Sequence, residues 1–266
     1  MMDIIKVIIL SLVEGLTEFL PVSSTGHLIL LNPYIEFNQN FKNTFDIVIQ
    51  FGAILSVIVL YFNKLNIFTK DKIHNKETLD LWKKVVVGVL PAVVLGLLFG
   101  DIIEEKFFNR LTVCIMLFIG GIVIIIMENK SKDIKIKNFG DLSYKMAIAI
   151  GFFQCMAMIP GTSRSAATII GAMLLGCSRV IAAEFSFFLA IPTMAGATTY
   201  KLLKSGISLS SYEWSLLALG TFLSFVFALI VIKLFMGYVK KKDFKIFGFY
   251  RIILSGIILL SMLLKF

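Results

Sequence analysis

Residues 14–27 read EGLTEFLPVSSTGH, Glu14 to His27. The stretch holds two carboxylates, the hydroxyl run Ser23, Ser24 and Thr25, and one of the chain's two histidines. Its flanks are apolar enough to lie in lipid, where an ionisable group costs about 2.5–3.5 kcal/mol at the bilayer centre. Pro21 breaks it, because proline has no N–H to donate and its ring crowds the preceding turn. Ser and Thr follow at once, as residues that cap a new helix. Residues 22–31 then make a limb of about 15 Å, half a bilayer. A limb of that length points to a helical hairpin that dips into the membrane and returns.

The rest of the chain reads as membrane protein. Of 266 residues 58% are hydrophobic and only 16% charged, and the mean hydropathy is +0.90. Soluble domains are nearer half apolar and a quarter charged. Apolar runs at 45–62, 82–100, 111–127, 181–203, 213–236 and 247–265 lack the polar face of a soluble helix. They predict six transmembrane helices. Glu14, Glu18 and the lack of a small-x-small cleavage site argue against a removable signal peptide. Cys114, Cys155 and Cys177 form no CxxC spacing and an odd set, so they read as packing thiols.

The net charge of +9 raises the question of nucleic acid, and its distribution answers it. Six lysines fall in 63–84, four in 128–142 and four in 237–247, against four Lys or Arg in 31–44, 101–110 and 204–212 together. That asymmetry is the positive-inside rule for short cytoplasmic loops, not an arginine-rich nucleic-acid surface. A second broken stretch, 143–175, is interrupted at Pro160-Gly161. If stretches 3–31 and 143–175 both crossed, the first two lysine-rich loops would oppose the third. If both re-enter, all three share the cytoplasmic face, so charge favours re-entry, and both termini then face outside.

The two breaks also resemble each other. FLPVSST (19–25) aligns with MIPGTSR (158–164) at an offset of 139, and near that offset FDIVIQFGAI (45–54) lies against FSFFLAIPTM (185–194). The expected architecture is all-α, one integral membrane domain over 1–266. Repeat one covers about 1–127 with hairpin 3–31, and repeat two about 143–266 with hairpin 143–175. Three spans per repeat invert the second repeat, and inverted repeats bring interrupted helices together at the midplane. The two tips should meet.

The tips carry chemistry. Glu14 and Glu18 share one helix face, ahead of Ser23, Ser24, Thr25 and His27. The second tip supplies Gly161, Thr162, Ser163, Arg164 and Ser165. Glycine admits a ligand close to the backbone, an arginine fork matches phosphate oxygens, and helix-start hydroxyls and N–H groups cradle an anion. The set amounts to a phosphate clamp, a nucleophile, a base and two metal ligands, the equipment of phosphoryl transfer.

EGLTEFLPVSSTGH and PGTSRSAAT resemble the two motifs of the undecaprenyl-diphosphate phosphatase family, the bacitracin-resistance proteins. The likeness extends through FDIVIQFGAI, the 184–192 stretch EFSFFLAIP and YRIIL at 250–254. The resemblance implies hydrolysis of a C55 isoprenyl diphosphate to the monophosphate, which recycles the lipid carrier of bacterial wall synthesis, in the bacterial cell membrane. It implies functional roles for Glu14, Glu18, Ser24, His27 and Arg164 and a divalent cation, Mg or Ca. Expected partners are the lipid diphosphate, surrounding lipids and a second copy of the chain as a homodimer.

On these grounds Ser24 is expected as nucleophile, His27, three residues on, as its base and later acid, and Arg164 as clamp. Glu14 and Glu18 hold metal or orient His27. Ser23, Thr25, Gly161, Thr162, Ser163 and Ser165 are expected around the phosphate. Glu184 is expected to pair with Arg179, and Arg251 must find a partner or snorkel. A lipid-phosphate transporter or flippase is the competing class, since it needs the clamp but no hydroxyl–histidine–carboxylate set. A type 2 phosphatidic acid phosphatase would need a histidine where Ile170 stands.

Overall fold

The computed structural model describes residues 2–31, 34, 35, 37, 39–130, 133–205 and 209–264. Parts of the expected connections 31–44, 128–142 and 204–212 lie outside that set. The described residues are helical almost throughout, with no strand and a single isolated bridge between Ile136 and Cys177. The helices are α1 (Met2–Thr17), α2 (Ser24–Leu31), α3 (Gln39–Leu60), α4 (Phe62–Leu65), α5 (Lys72–Phe107), α6 (Arg110–Asn129), α7 (Tyr144–Cys155), α8 (Arg164–Leu174), α9 (Arg179–Ser205), α10 (Ser211–Val239) and α11 (Lys245–Leu263).

Five helices are long and apolar enough to cross a bilayer: α5, α6, α9, α10 and α11. This is a multi-pass membrane protein. The sixth expected span, 45–62, falls on α3, whose described apolar part, Thr44–Leu60, is shorter. The expected span 82–100 is only the middle of α5. Asp71 starts that helix early by accepting from the N–H groups of Ile73 and His74, and the far end runs on through Asp101, Glu104 and Glu105 to Phe107. At 36 residues, or about 54 Å, α5 outreaches any hydrocarbon core. Charged turns at helix ends therefore do not stop a helix. They stop only its apolar stretch.

The two broken stretches fold as short pairs. α1 and α2 touch, as do α7 and α8, and none of the four reaches 18 residues. Elsewhere α1 packs on α10 and α7 on α5, α3 on α10 and α9 on α5, while α3 meets α9 and α6 meets α11. Small residues allow the closest crossings. A Cβ on Gly121 of α6 would lie 2.7 Å from the Gly248 carbonyl oxygen of α11, and one on Gly248 would lie 2.8 Å from that of Gly121. The main core surrounds α9, the most enclosed of the five long helices, with Phe185, Phe187 and Phe188 fully buried. In contrast α5 turns Val86, Leu90, Val94, Leu97 and Leu98 outward, as a lipid-facing helix does.

Candidate active site at the two turns

α1 ends because Pro21 approaches, and the chain turns through Glu18–Val22. Ser23 then adopts φ 71°, with its hydroxyl accepting from the Gly26 N–H at 3.3 Å as α2 begins. The second turn does the same. Gly161 stands at φ 91°, Ser163 at φ 70°, and the Ser163 hydroxyl accepts from the Ala166 N–H at 3.2 Å at the start of α8. Among the described residues these serines are the only non-glycine residues at positive φ. Such strain costs roughly 1–3 kcal/mol and collects where function requires it. The serines lie 140 residues apart, one more than the offset that aligns the prolines. Ser24 and Arg164 thus hold the same place, the first residue of a helix.

The turns meet, as expected. Ser165 donates its hydroxyl to the Leu20 carbonyl at 2.7 Å, which makes it a tie between turns. Across this junction the Ser24 hydroxyl donates to Glu18 Oε2 at 2.7 Å. Glu18 Oε1 takes Arg164 Nη2 at 3.4 Å, and Arg164 Nη1 donates to the Ser186 carbonyl on α9 at 2.8 Å. The Arg164 guanidinium also lies 5.8 Å from the Phe19 ring centroid. Serine, carboxylate and arginine form one chain.

His27 is placed otherwise than its spacing suggests. Its Nδ1 lies 2.8 Å from the Ser23 carbonyl, which only accepts, so Nδ1 carries the proton. In the neutral ring Nε2 then accepts from the Tyr250 hydroxyl at 2.6 Å. The ring is engaged at both nitrogens, while Ser24 turns to Glu18.

Several polar atoms here have no partner. Of eight buried side-chain N or O atoms without a hydrogen bond among the described residues, five are Glu14 Oε1 and Oε2, Asp46 Oδ1, Thr162 Oγ1 and Arg164 Nε. Buried polar atoms are ordinarily paired, so this concentration makes the junction a candidate ligand site, with donors for an anion and, in Glu14 beside Glu18, carboxylates for a cation. Glu18, Asp46 and Arg164 all act electrostatically on Glu14. Among the described residues no three His, Cys, Asp or Glu side chains are grouped to hold an ion by themselves. Mg²⁺ does not need three, since it is usually held by one or two carboxylates plus substrate phosphates. The unpartnered oxygens of Glu14 and Asp46 fit that role.

Sequence reasoning missed Asp46, Ser186 and Tyr250. A lone carboxylate in the run FDIVIQ was a signal for Asp46. No sequence signal marks Ser186, which serves through its backbone, and Tyr250 sits 223 residues from its partner. The expected pairing of Glu184 with Arg179 is corrected. Glu184 is bound by Lys64 at 2.7 and 2.9 Å, and Arg179 instead grips Glu128 at 2.6 and 3.0 Å. Arg251 does find partners, four of them main-chain carbonyls.

Residues 7–258 match the family model described as bacitracin resistance protein BacA. The chain is similar to undecaprenyl-diphosphatase 1 of Clostridioides difficile (strain 630), 52% identical over 263 residues, covering 97% of this chain and 96% of that protein. It is 54% identical over 265 residues to the undecaprenyl-diphosphatase of Fusobacterium nucleatum subsp. nucleatum, covering 97% and 99%. With that of Acetivibrio thermocellus it shares 51% over 269 residues, covering 99% of each. With a match over nearly its whole length, the chain belongs to the bacitracin resistance protein BacA family.

Proposed function

We propose that this chain hydrolyses undecaprenyl diphosphate to undecaprenyl phosphate and inorganic phosphate in the bacterial cell membrane. The observation that carries the reading is the hydrogen-bonded chain Ser24–Glu18–Arg164 across the two turns. A hydroxyl is a poor nucleophile until an adjacent base takes its proton, and Glu18 is in place to take it. Ser24 Oγ forms a bond to the terminal phosphorus, the anhydride bond to the lipid monophosphate breaks, and Glu18 passes the serine proton to the departing monophosphate oxygen. Water then attacks the phosphoserine while Glu18 takes its proton, the Oγ–P bond breaks to release inorganic phosphate, and Glu18 returns that proton to Ser24 Oγ. Arg164 and Thr162 bind the phosphoryl oxygens as charge develops. His27 is held by the Ser23 carbonyl and the Tyr250 hydroxyl of α11. Glu14 and Asp46 would hold a divalent cation, Mg or Ca, which when bound neutralises the diphosphate charge.

The lysine distribution supports termini outward with the lysine-rich loops cytoplasmic, and the helix contacts support an inverted repeat with two short hairpins. The helix pairings exchange in step, α1–α10 with α7–α5 and α3–α10 with α9–α5.

The test is release of inorganic phosphate from undecaprenyl diphosphate by the purified protein in detergent, with no gradient. Release abolished by Ser24→Ala supports hydrolysis at this site. Binding without release would favour a transporter.

A further inference from the structure

Arg251 takes no part in the chemistry above, yet it is wholly buried in α11. Among the described residues its guanidinium reaches no carboxylate. Nη2 donates to the Met116 carbonyl of α6 at 3.0 Å and to the Gly161 carbonyl of the second turn at 3.0 Å. Nε donates to the Leu117 carbonyl at 3.4 Å, and Nη1 to the Pro21 carbonyl of the first turn at 3.4 Å. Pro21 stands three residues before Ser24, and Gly161 three residues before Arg164. One planar cation therefore holds both turns at the same step ahead of the nucleophile and the clamp. The room for it comes from Gly120, where a Cβ would lie 2.3 Å from Nη2. A buried charge solvated only by carbonyls costs stability that an apolar side chain of similar size often would not, so packing alone does not account for it.

We propose that Arg251 is a positioning residue that sets the spacing of the two turns, so that the Ser24 hydroxyl and the Arg164 fork close on one phosphoryl group. The inference rests on the hydrolase reading. Arg251 acts through two main-chain carbonyls and does not touch the substrate. Its loss leaves the anion-binding groups of the second turn in place and misaligns attack. Misplacement by about 1 Å can cost roughly 100-fold in rate. The signature is a fall in kcat with KM nearly kept.

The experiment compares Arg251→Met, Gly120→Ala and the double variant with the parent, measuring phosphate release and thermal melting in detergent. Arg251→Met keeps the stem and removes the fork, while Gly120→Ala keeps the fork and removes its room. Each is expected to lose roughly 10- to 100-fold in kcat, with KM within about threefold and melting close to the parent. In the double variant Gly120→Ala should cost nothing further, because both act through one contact. If Arg251→Met does not fold, Arg251→Lys replaces it, keeping charge but reaching fewer carbonyls. Turnover within about twofold of the parent in a folded variant overturns the proposal. So does a kcat loss that only tracks loss of folded protein, or a rise in KM at constant kcat, which would place Arg251 on the substrate. A parent that releases no phosphate sinks the hydrolase reading itself.

Discussion

Glu18 takes a proton donor on each oxygen, the Ser24 hydroxyl and the Arg164 guanidinium. The i, i+3 spacing of Ser24 and His27 suggested a serine–histidine pair. The positive φ at Ser23 instead folds α2 back so that its first hydroxyl meets a carboxylate six residues upstream. Glu14, Glu18, Ser24 and Arg164 were legible because ionisable groups in apolar sequence are functional by default. The hydrogen bonds among them were not, since backbone strain and contacts 146 residues apart decide those. Glu18→Gln keeps size and an acceptor oxygen but not basicity. It should lower kcat by about 100- to 10,000-fold while lipid diphosphate still binds, which steady-state kinetics alongside a binding assay checks. Arg164→Lys keeps the charge, but one ammonium cannot match the planar fork shared by Glu18 and the Ser186 carbonyl. Most phosphate release should be lost with the fold kept, as read by circular dichroism.

The turns show what an element demands of single positions. Gly161 needs φ 91°, and a Cβ there would also lie 2.7 Å from the Val113 backbone of α6. Gly176, just before α9, has nearly the same φ, 93°, but its nearest neighbour would be 3.4 Å away. Gly176→Ala should therefore cost only the left-handed strain, about 1–2 kcal/mol. Gly161→Ala adds a clash with main chain that cannot swing aside. Thermal melting of the two variants in detergent should separate them, with Gly161→Ala the lower. Helix existence was readable from the apolar runs and from the Ser and Thr that follow the two breaks. Helix length was not, because α5 continues through charged turns once past the apolar stretch.

In the whole molecule the lysine-rich segments bear on sidedness and the paired helix contacts on the repeat. With residues 63–84, 128–142 and 237–247 on the cytoplasmic face, a single cysteine at position 70 should resist a membrane-impermeant thiol reagent in intact cells. It should label once the cells are opened. Labelling from outside at position 70 would sink that arrangement. Composition made the membrane legible, and weak internal similarity suggested the repeat. What no single stretch carried was that α9 would be the most enclosed of the long helices, because its enclosure depends on every neighbour.

The eight residues of α2 span only about 12 Å. In the re-entrant arrangement a diphosphate that reaches Ser24 leaves the plane of the surrounding headgroups by about that depth, drawing its first isoprene units inward with it. The catalytic cycle is then linked to the elasticity of one leaflet. A thin or easily deformed leaflet shortens the excursion, and a thick one resists it at fractions of a kcal/mol per Å. In vesicles of matched charge, turnover should be faster with short-chain than with long-chain phosphatidylcholine. In that arrangement bilayer thickness would set how far the headgroup must travel, and with it the rate of the cycle.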